Sequence, residues 1–316
     1  MPTPRLLALC LSLGLVLAAI LPGPAMAQER PGPLRLSTHQ VKPGVYWVDG
    51  GVSNTGFVVG DKGVIAIDAQ KTEEAANAAL AEIAKVTPRK VDTVIVTHSD
   101  PDHVGGLPAY PAGTQIIAQE NTRAAILASA ADPAAPPVYA RLYGKLAASY
   151  LPSHLVGQSE SVTIDGIRMQ LIYVAPAHSS GDLVIYLPEK KVVFAGDIVT
   201  TNTGRFPVIH IGGSSLGWIA TMKAILALDA DTIISGHGEI WSRDKLTAWL
   251  HLVEERRDAI KAMVMQNKSI EEVQAALPDV ALAPMFPTFT QTTYRELVKG
   301  YPAEARGPWV NLVHKP

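Results

Sequence analysis

The chain has 316 residues, with 27 Lys and Arg against 29 Asp and Glu, and a formal net charge of −2. This balance gives no electrostatic argument for binding nucleic acid, and the 47% hydrophobic and 18% charged residues exclude a wholly disordered chain. The length suits one large domain or two ordinary ones with a sizeable core.

The first 27 residues predict a secretory signal peptide. Arg5 is the only charge before an apolar run at residues 6–21, and a Pro-Gly-Pro break precedes an Ala-Met-Ala sequence that ends at Ala27. An uncleaved anchor is the alternative, because the run is only slightly short for a bilayer span. Cleavage after Ala27 predicts a periplasmic or secreted protein without stable membrane insertion. It also removes Cys10, the only cysteine, and with it any disulfide or thiolate ligand.

Short β-type runs open the remaining chain and are separated by glycine-containing turns. They lie at residues 45–48, 56–59 and 64–68. The Ala-rich residues 72–85 predict a helix with Thr72 as its N-cap, and the β-branched residues 91–96 predict a buried strand.

The rest of the chain alternates between strand and helix patterns, which predicts an α/β fold with sheet in the middle and helices outside. Strands are predicted at 115–118, 162–164, 169–174, 183–187, 192–195 and 232–234. Helices are predicted from Asn121, at 138–150, at 216–228 after a Ser214 or Ser215 cap, from Ser242 onward, and after a capping-box pattern at 269–272.

The most informative motif is H-x-D-x-D-H at residues 98–103, where a predicted strand ends. It contains His98, Asp100, Asp102 and His103. Imidazole suits zinc and iron, and carboxylates add harder oxygen donors, so four such side chains within six residues indicate a metal site. The alternative is a solvated Asp-Pro turn with an N-cap Asp and incidental histidines.

Three further ligand-type residues follow predicted strands directly. They are His178, Asp197 and His237. Because strand ends in a packed α/β sheet meet at one edge, where ligands bind, we expect these side chains to converge with the motif in one cavity.

This pattern resembles the metallo-β-lactamase superfamily, whose signature is H-x-H-x-D-H after a strand, followed by a His, an Asp or Cys, and a last His. The spacings of 80, 19 and 40 residues between His98, His178, Asp197 and His237 fit it. The resemblance extends over roughly residues 34–250. It implies a four-layer αββα sandwich, with residues 251–316 as a C-terminal helical extension packed on it.

The resemblance also implies two divalent metal ions, with zinc as the expected metal. The first ion would be bound by His98, Asp100 and His178, the second by Asp102, His103 and His237, and Asp197 would bridge them. Asp100 departs from the pattern because it stands where the signature has its second His. A carboxylate at this position leaves iron or manganese possible as the metal. In this respect the motif is similar to that of the flavodiiron branch, which has a carboxylate there and binds iron. The roughly 65 residues after Leu250 leave no room for the flavodoxin domain of that branch.

The function implied is an exported binuclear hydrolase. Two ions would share a water and lower its pKa towards ~7, so that the hydroxide attacks the substrate, with Asp102 as the catalytic residue that orients it. The substrate would be a small ester, lactone, thioester or amide, and nucleic acid is not an expected partner. The alternatives are a β-lactamase-type hydrolase, an iron-dependent redox enzyme of the same fold, and a non-catalytic metal-binding homologue.

Three residues shortly after Asp197 are less informative. Arg205, His210 and Trp218 are candidates to line the pocket, but we expect Arg205 to be a surface residue, His210 to lie at a β-edge and Trp218 to belong to the core. The predicted helix at 138–150 either covers the site or is an ordinary amphipathic helix.

Overall fold

The computed structural model describes residues 34–200, 206–210, 212–282 and 286–300. The predicted signal peptide, residues 1–27, lies outside the described residues. Within these ranges, no helix combines the length and the apolar character that a membrane crossing needs.

The first half of the chain forms a seven-stranded sheet whose strands are ordered as in the sequence. The first four strands pair antiparallel, and the remaining neighbours pair parallel. The strands are β1 (Ser37–Lys42), β2 (Val45–Asp49), β3 (Thr55–Val59), β4 (Val64–Ile67), β5 (Val91–Ile95), β6 (Gln115–Gln119) and β7 (His154–Val156).

A second, five-stranded sheet follows, with the order β12-β11-β10-β9-β8. Its strands pair antiparallel except β11 and β12, which are parallel. The strands are β8 (Glu160–Ile164), β9 (Ile167–Ile172), β10 (Val184–Leu187), β11 (Val192–Phe194) and β12 (Thr232–Ile234).

In the described residues, eight α-helices connect or follow these strands. They are α1 (Glu73–Val86), α2 (Pro101–Val104), α3 (Glu120–Ala131), α4 (Pro137–Ser149), α5 (Ser215–Ala227), α6 (Arg243–Met265), α7 (Ile270–Ala276) and α8 (Phe289–Lys299). The predicted caps are confirmed: Thr72 and Ser214 accept backbone N–H groups of α1 and α5, and Ser269 forms a capping box with Glu272.

Three apolar clusters define the layers. One lies between the two sheets and includes Ile65 and Ile185. A second packs α1, α3 and α4 on the outer face of the first sheet, with Tyr143 at its centre. The third packs α5 and α6 on the outer face of the second sheet around Trp218 and Trp249. This helix–sheet–sheet–helix order confirms the predicted αββα sandwich.

Helix α6 continues without a break past residue 250, the predicted end of the sandwich domain. Helix α8 then packs against α5 and α6. The C-terminal helices therefore share the outer layer of the second sheet, because their apolar residues Val273 and Phe289 join its cluster.

Candidate metal centre

The first sheet contributes the H-x-D-x-D-H motif. The motif begins just beyond β5 and runs into the one-turn helix α2, which starts at Pro101. Asp100 occupies the N-cap position of α2, yet its side chain makes no capping hydrogen bond. The alternative of a solvated Asp-Pro turn is therefore wrong, because Asp100 is buried and faces the other ligand-type residues.

The second sheet contributes three side chains from loops at its strand ends. His178 lies between β9 and β10, Asp197 lies in a 3₁₀ turn after β11, and His237 follows β12. The loop that contains His178 is fixed by buried Asp182, whose carboxylate accepts the backbone N–H of Ser179 at 2.8 Å and its hydroxyl at 2.8 Å. The placement of all three residues follows from the ends of neighbouring strands.

The structure brings the three residues expected at the first site together. Asp100 Oδ2 lies 3.6 Å from His98 Nε2 and 3.4 Å from His178 Nε2. His178 Nε2 lies 3.8 Å from Asp197 Oδ2. Four ligands at about 2.0–2.1 Å from a tetrahedral ion are about 3.3 Å apart, so these separations suit donors to one ion.

The three residues expected at the second site also converge. His237 Nε2 lies 3.3 Å from Asp102 Oδ2 and 3.2 Å from Asp197 Oδ2. His103 Nε2 lies 3.2 Å from Asp197 Oδ1 and 3.8 Å from Asp102 Oδ2. Asp197 thus contacts both groups of histidines, as a bridging ligand must.

Hydrogen bonds orient the four histidines of the predicted set so that each Nε2 points into the centre. In each ring the other nitrogen, Nδ1, bonds to an oxygen that is held in place. The partners of His98, His103, His178 and His237 are Thr97 Oγ1 at 3.0 Å, Asp68 Oδ2 at 2.8 Å, Val208 O at 2.8 Å and Val52 O at 2.9 Å. In the neutral form of each ring Nδ1 therefore carries the proton, and Nε2 has its lone pair free for a ligand.

Asp68 organises this second layer of contacts. Its carboxylate accepts from Thr97 N at 2.7 Å, from Thr97 Oγ1 at 2.8 Å and from His103 Nδ1 at 2.8 Å. Because the Thr97 hydroxyl donates to Asp68, it accepts from His98. Asp68 has a φ of 61°, a strained value for a non-glycine residue, at the end of β4.

One residue of the centre was assigned wrongly from sequence. His210, expected at a β-edge, is 7% exposed, and its Nε2 lies 3.0 Å from Asp100 Oδ2 and 3.0 Å from His178 Nε2. It belongs to no motif, and the signal for it in the sequence was its position shortly after Asp197, which made it a candidate to line the pocket. Trp218 is a core residue as expected, and Arg205 lies outside the described residues.

The electrostatics of the centre favour ionised acids and protonated histidines. Burial alone would raise the pKa of Asp100 and of Asp197, but nearby histidines outweigh it and hold both pKa values well below their usual range. Burial opposes charge on the histidines, yet the carboxylates raise the pKa of His178 to about 9 and that of His237 to about 10. The packed carboxylates thus require positive charge, which protons or a cation can supply.

Several buried atoms of the centre lack hydrogen-bond partners in the part of the chain that the structure describes. They are His98 Nε2, Asp100 Oδ1, His103 Nε2 and Asp197 Oδ1. Leaving buried polar atoms unsatisfied is costly, so their convergence indicates a ligand. Imidazole nitrogens and carboxylate oxygens are donors that zinc and similar divalent ions accept, and the residues therefore fit a two-metal centre.

Two glycines allow the close packing around Asp197. Gly196 has a φ of 51°, and a Cβ there would lie 2.7 Å from the side chain of Thr97. A Cβ at Gly236 would overlap the Asp197 carboxylate. Side chains at these positions would displace the residue that joins the two halves of the centre.

The centre lies at the floor of a cavity of about 410 Å³. Its walls are largely apolar and come from both halves of the chain; they include Val52, Tyr139, Val208, Leu282 and Phe286. Helix α4 thus contributes to the cavity through Tyr139, and the segment before α8 contributes through Phe286. A cavity of this volume suits a small molecule.

Comparisons with known proteins agree with this geometry. The 2,4-dinitroanisole O-demethylase subunit alpha of Nocardioides sp. (strain JS1661) is 32% identical over 206 residues, which cover 64% of this chain and 57% of that protein. The linear primary-alkylsulfatase of Pseudomonas sp. (strain ATCC 19151) is 24% identical over 236 residues, which cover 63% of this chain and 43% of that protein. The chain therefore spans about half the length of the curated relatives it matches.

Solved structures share the fold. The stereoselective inverting sec-alkylsulfatase Pisa1 from Pseudomonas sp. aligns with a TM-score of 0.67 and 19% identity, over 88% of this chain and 52% of that one. A metallo-beta-lactamase from Pontibacter korlensis aligns with a TM-score of 0.56 and 19% identity, over 70% of this chain and 99% of that one. The family model for the metallo-beta-lactamase superfamily matches residues 48–237, more than half of the sequence. With the fold, the ligand spacing and this match in agreement, the chain belongs to the metallo-beta-lactamase superfamily.

Proposed function

We propose that this protein is an exported binuclear metallohydrolase that cleaves a small ester, lactone, thioester or amide. One observation carries the proposal: buried and half-buried His and Asp side chains from the two sheets form two sets that both contact Asp197 beside a small-molecule cavity. Zinc is the proposed metal, because imidazole nitrogens make up most of the donors.

Each residue of the centre has a defined part in this proposal. His98, Asp100 and His178 would hold the first ion, Asp102, His103 and His237 would hold the second, and Asp197 would contribute to both sites. When bound, the ions supply an acidified water as nucleophile and a Lewis acid for the electrophilic oxygen of the substrate. The low-dielectric surroundings strengthen these electrostatic effects.

Asp102 is the proposed proton acceptor. Its carboxylate lines the cavity and is 19% exposed, whereas the Asp100 and Asp197 carboxylates are 11% and 10% exposed. The lowered pKa of Asp102, which burial opposes and His103 and His237 produce, keeps it ionised at neutral pH. It can therefore accept a hydrogen bond from a water molecule in the cavity and orient it.

A second candidate reaction is cleavage of an O-alkyl group. The observation in its favour is the 32% identity to an O-demethylase subunit, together with similarity to an alkylsulfatase. The apolar walls around Phe286 and Val52 suit an aryl or alkyl group next to the centre. Nucleic acid fits neither reaction, since the cavity is small and the chain has no basic excess.

Elemental analysis of purified, untagged protein tests the metal centre. We expect about two zinc ions per chain. Two iron ions would favour the redox alternative, and absence of tightly bound metal would favour a non-catalytic homologue. The His103→Gln variant, which loses a second-site donor, should retain only the first ion.

A substrate panel tests the reaction. It contains 4-nitrophenyl acetate, a γ-lactone, an acyl thioester, a cephalosporin, 4-nitrophenyl sulfate and 2,4-dinitroanisole. We expect hydrolysis of an ester, lactone or thioester that Asp102→Asn lowers by about 10²-fold or more, because the amide is both a poorer second-site donor and no proton acceptor. Turnover confined to dinitroanisole or the sulfate ester would favour the second candidate, and turnover confined to the cephalosporin would favour a lactamase.

A further inference from the structure

We propose that His210 is a ligand of the first metal ion and supplies the imidazole that the H-x-D-x-D-H motif lacks at position 100. This inference rests on the proposed metal centre. It assigns a metal-binding role to a residue that lies outside the motif, on the loop that precedes α5.

The position of the His210 ring suits a ligand. Its Nε2 lies 3.0 Å from Asp100 Oδ2 and 3.0 Å from His178 Nε2. Donors to one ion are about 3.0 Å apart in octahedral and about 3.4 Å apart in tetrahedral coordination, for bonds of about 2.1 Å. Asp100, His178 and His210 thus form one group of potential ligand atoms.

Hydrogen bonding alone explains this geometry poorly. If His178 is neutral, its proton lies on Nδ1, which donates to the Val208 carbonyl at 2.8 Å, and a single Nε2 proton on His210 can serve only one of the two close contacts. If His178 is protonated, His210 Nε2 can accept a hydrogen bond from it or donate one to Asp100, but it cannot do both. A cation between the three side chains satisfies both contacts at once.

The backbone holds His210 against the loop that contains His178. His210 N donates to His178 O at 2.8 Å, and Ser214 N donates to Ala177 O at 2.9 Å. Gly213 N closes the turn on His210 O at 2.8 Å, and a Cβ on Gly213 would clash with the backbone oxygen of His178. The ring is therefore placed before any ion binds, which reduces the entropic cost of adding a ligand.

This assignment changes the expected character of the first site. His98, His178 and His210 provide three imidazoles, and Asp100 adds a carboxylate. The nitrogen count equals that of a site with three histidines, although the third one comes from a different loop. Such a donor set favours zinc more strongly than the motif alone indicates.

The test compares zinc and cobalt binding by the full-length protein and three variants. His210→Gln keeps an N–H donor but provides only a weakly coordinating amide. His98→Gln is the benchmark for loss of a first-site ligand. His154→Gln is the control, because His154 is on β7 and pairs with Glu160 away from the centre. Circular dichroism melting confirms that each variant is folded before titration.

We expect wild type and His154→Gln to bind two ions. His210→Gln should weaken one of them by at least about 100-fold, as His98→Gln does, because changes outside the ligand set cost only about 10–100-fold. The visible spectrum of first-site cobalt should also change. If His210→Gln binds two cobalt ions with an unchanged spectrum and affinities within threefold of wild type, His210 is a hydrogen-bond donor and the inference is overturned. If wild type itself binds no ion, the proposed metal centre fails as well, and the two failures are thus distinguishable.

Discussion

At the scale of single residues, Asp100 distinguishes this centre from the H-x-H-x-D-H signature, which has a histidine at this position. Its Oδ2 atom lies within 3.6 Å of three imidazole nitrogens, on His98, His178 and His210. A carboxylate at this position lowers the net charge of the first site relative to a histidine. A carboxylate also allows a third histidine, His210, to approach closely, because opposite charges attract.

Asp100→Ala should remove the first ion and leave the second. The carboxylate contacts ligands and not the apolar core, so the melting temperature of the chelated protein should stay close to that of wild type. Metal analysis after dialysis measures the effect, with Asp258→Ala, an exposed change on α6, as control. Two ions and full activity in Asp100→Ala would show that Asp100 is no ligand.

Asp68→Asn tests the contacts behind the ligands. An amide cannot accept from Thr97 N, Thr97 Oγ1 and His103 Nδ1 together, so the ring of His103 loses its fixed orientation. We expect affinity for the second ion to fall by about 10–100-fold, which is the usual effect of changing a partner of a metal ligand. Isothermal titration of zinc measures it, and unchanged affinity would show that Asp68 only supports the turn after β4.

Most side chains of the centre could be predicted from the sequence, and the reason is physical. Ligands that follow strands in a local motif have fixed positions relative to the sheet, so the structure brings His98, Asp102, Asp197 and the others together as expected. His210 could not be predicted in this way. Its position depends on backbone pairing between two loops that are 32 residues apart, which no local pattern encodes.

At the scale of elements, α8 is joined to the rest of the protein by a buried ionic group. Glu296 accepts from Ser214 Oγ at 3.0 Å and from Ser215 N at 2.9 Å at the start of α5, and it lies 3.6 Å from Arg257 on α6. The side chains of Arg257 and Glu296 are 12% and 11% exposed. One carboxylate thus connects three helices.

Glu296→Gln should lower the free energy of unfolding by about 1–3 kcal/mol, because buried donors on Ser215 and Arg257 lose their charged acceptor. Urea denaturation measures this, with Glu255→Gln, an exposed change on α6, as the control. A change within about 0.5 kcal/mol, typical of surface substitutions, would show that the connection contributes little.

The sequence predicted most strands and helices and missed two strands of the first sheet. Helix α1 and strand β5 combine clear periodicity with recognisable ends, and the three-residue strands β11 and β12 were predicted because they consist of apolar and β-branched residues. Strand β1, with the sequence STHQVK, has too few apolar residues, and β7, with the sequence HLV, is short and begins with a polar residue. Both strands form because a neighbouring strand pairs with them, which is tertiary information.

At the scale of the whole molecule, the export proposal makes a direct prediction. The mature protein should begin near Gln28, because the Ala-Met-Ala sequence ends at Ala27. Intact-mass measurement on protein from the periplasm of the native organism tests this. A mass that still includes Arg5 would indicate an uncleaved anchor instead.

The metal centre also has a consequence for folding. Ligands come from both sheets, so an ion held by His98 and His178 ties together residues 80 positions apart, as a cross-link would. A chain with one cysteine cannot form an internal disulfide that would cross-link such distant residues. Ions at 100 times their dissociation constant add about 2.7 kcal/mol of stability. A chelator should therefore lower the melting temperature of wild type, and it should lower that of Asp100→Ala by less. For a protein exported as proposed, the metal concentration outside the cytoplasm would then determine the stability of the fold.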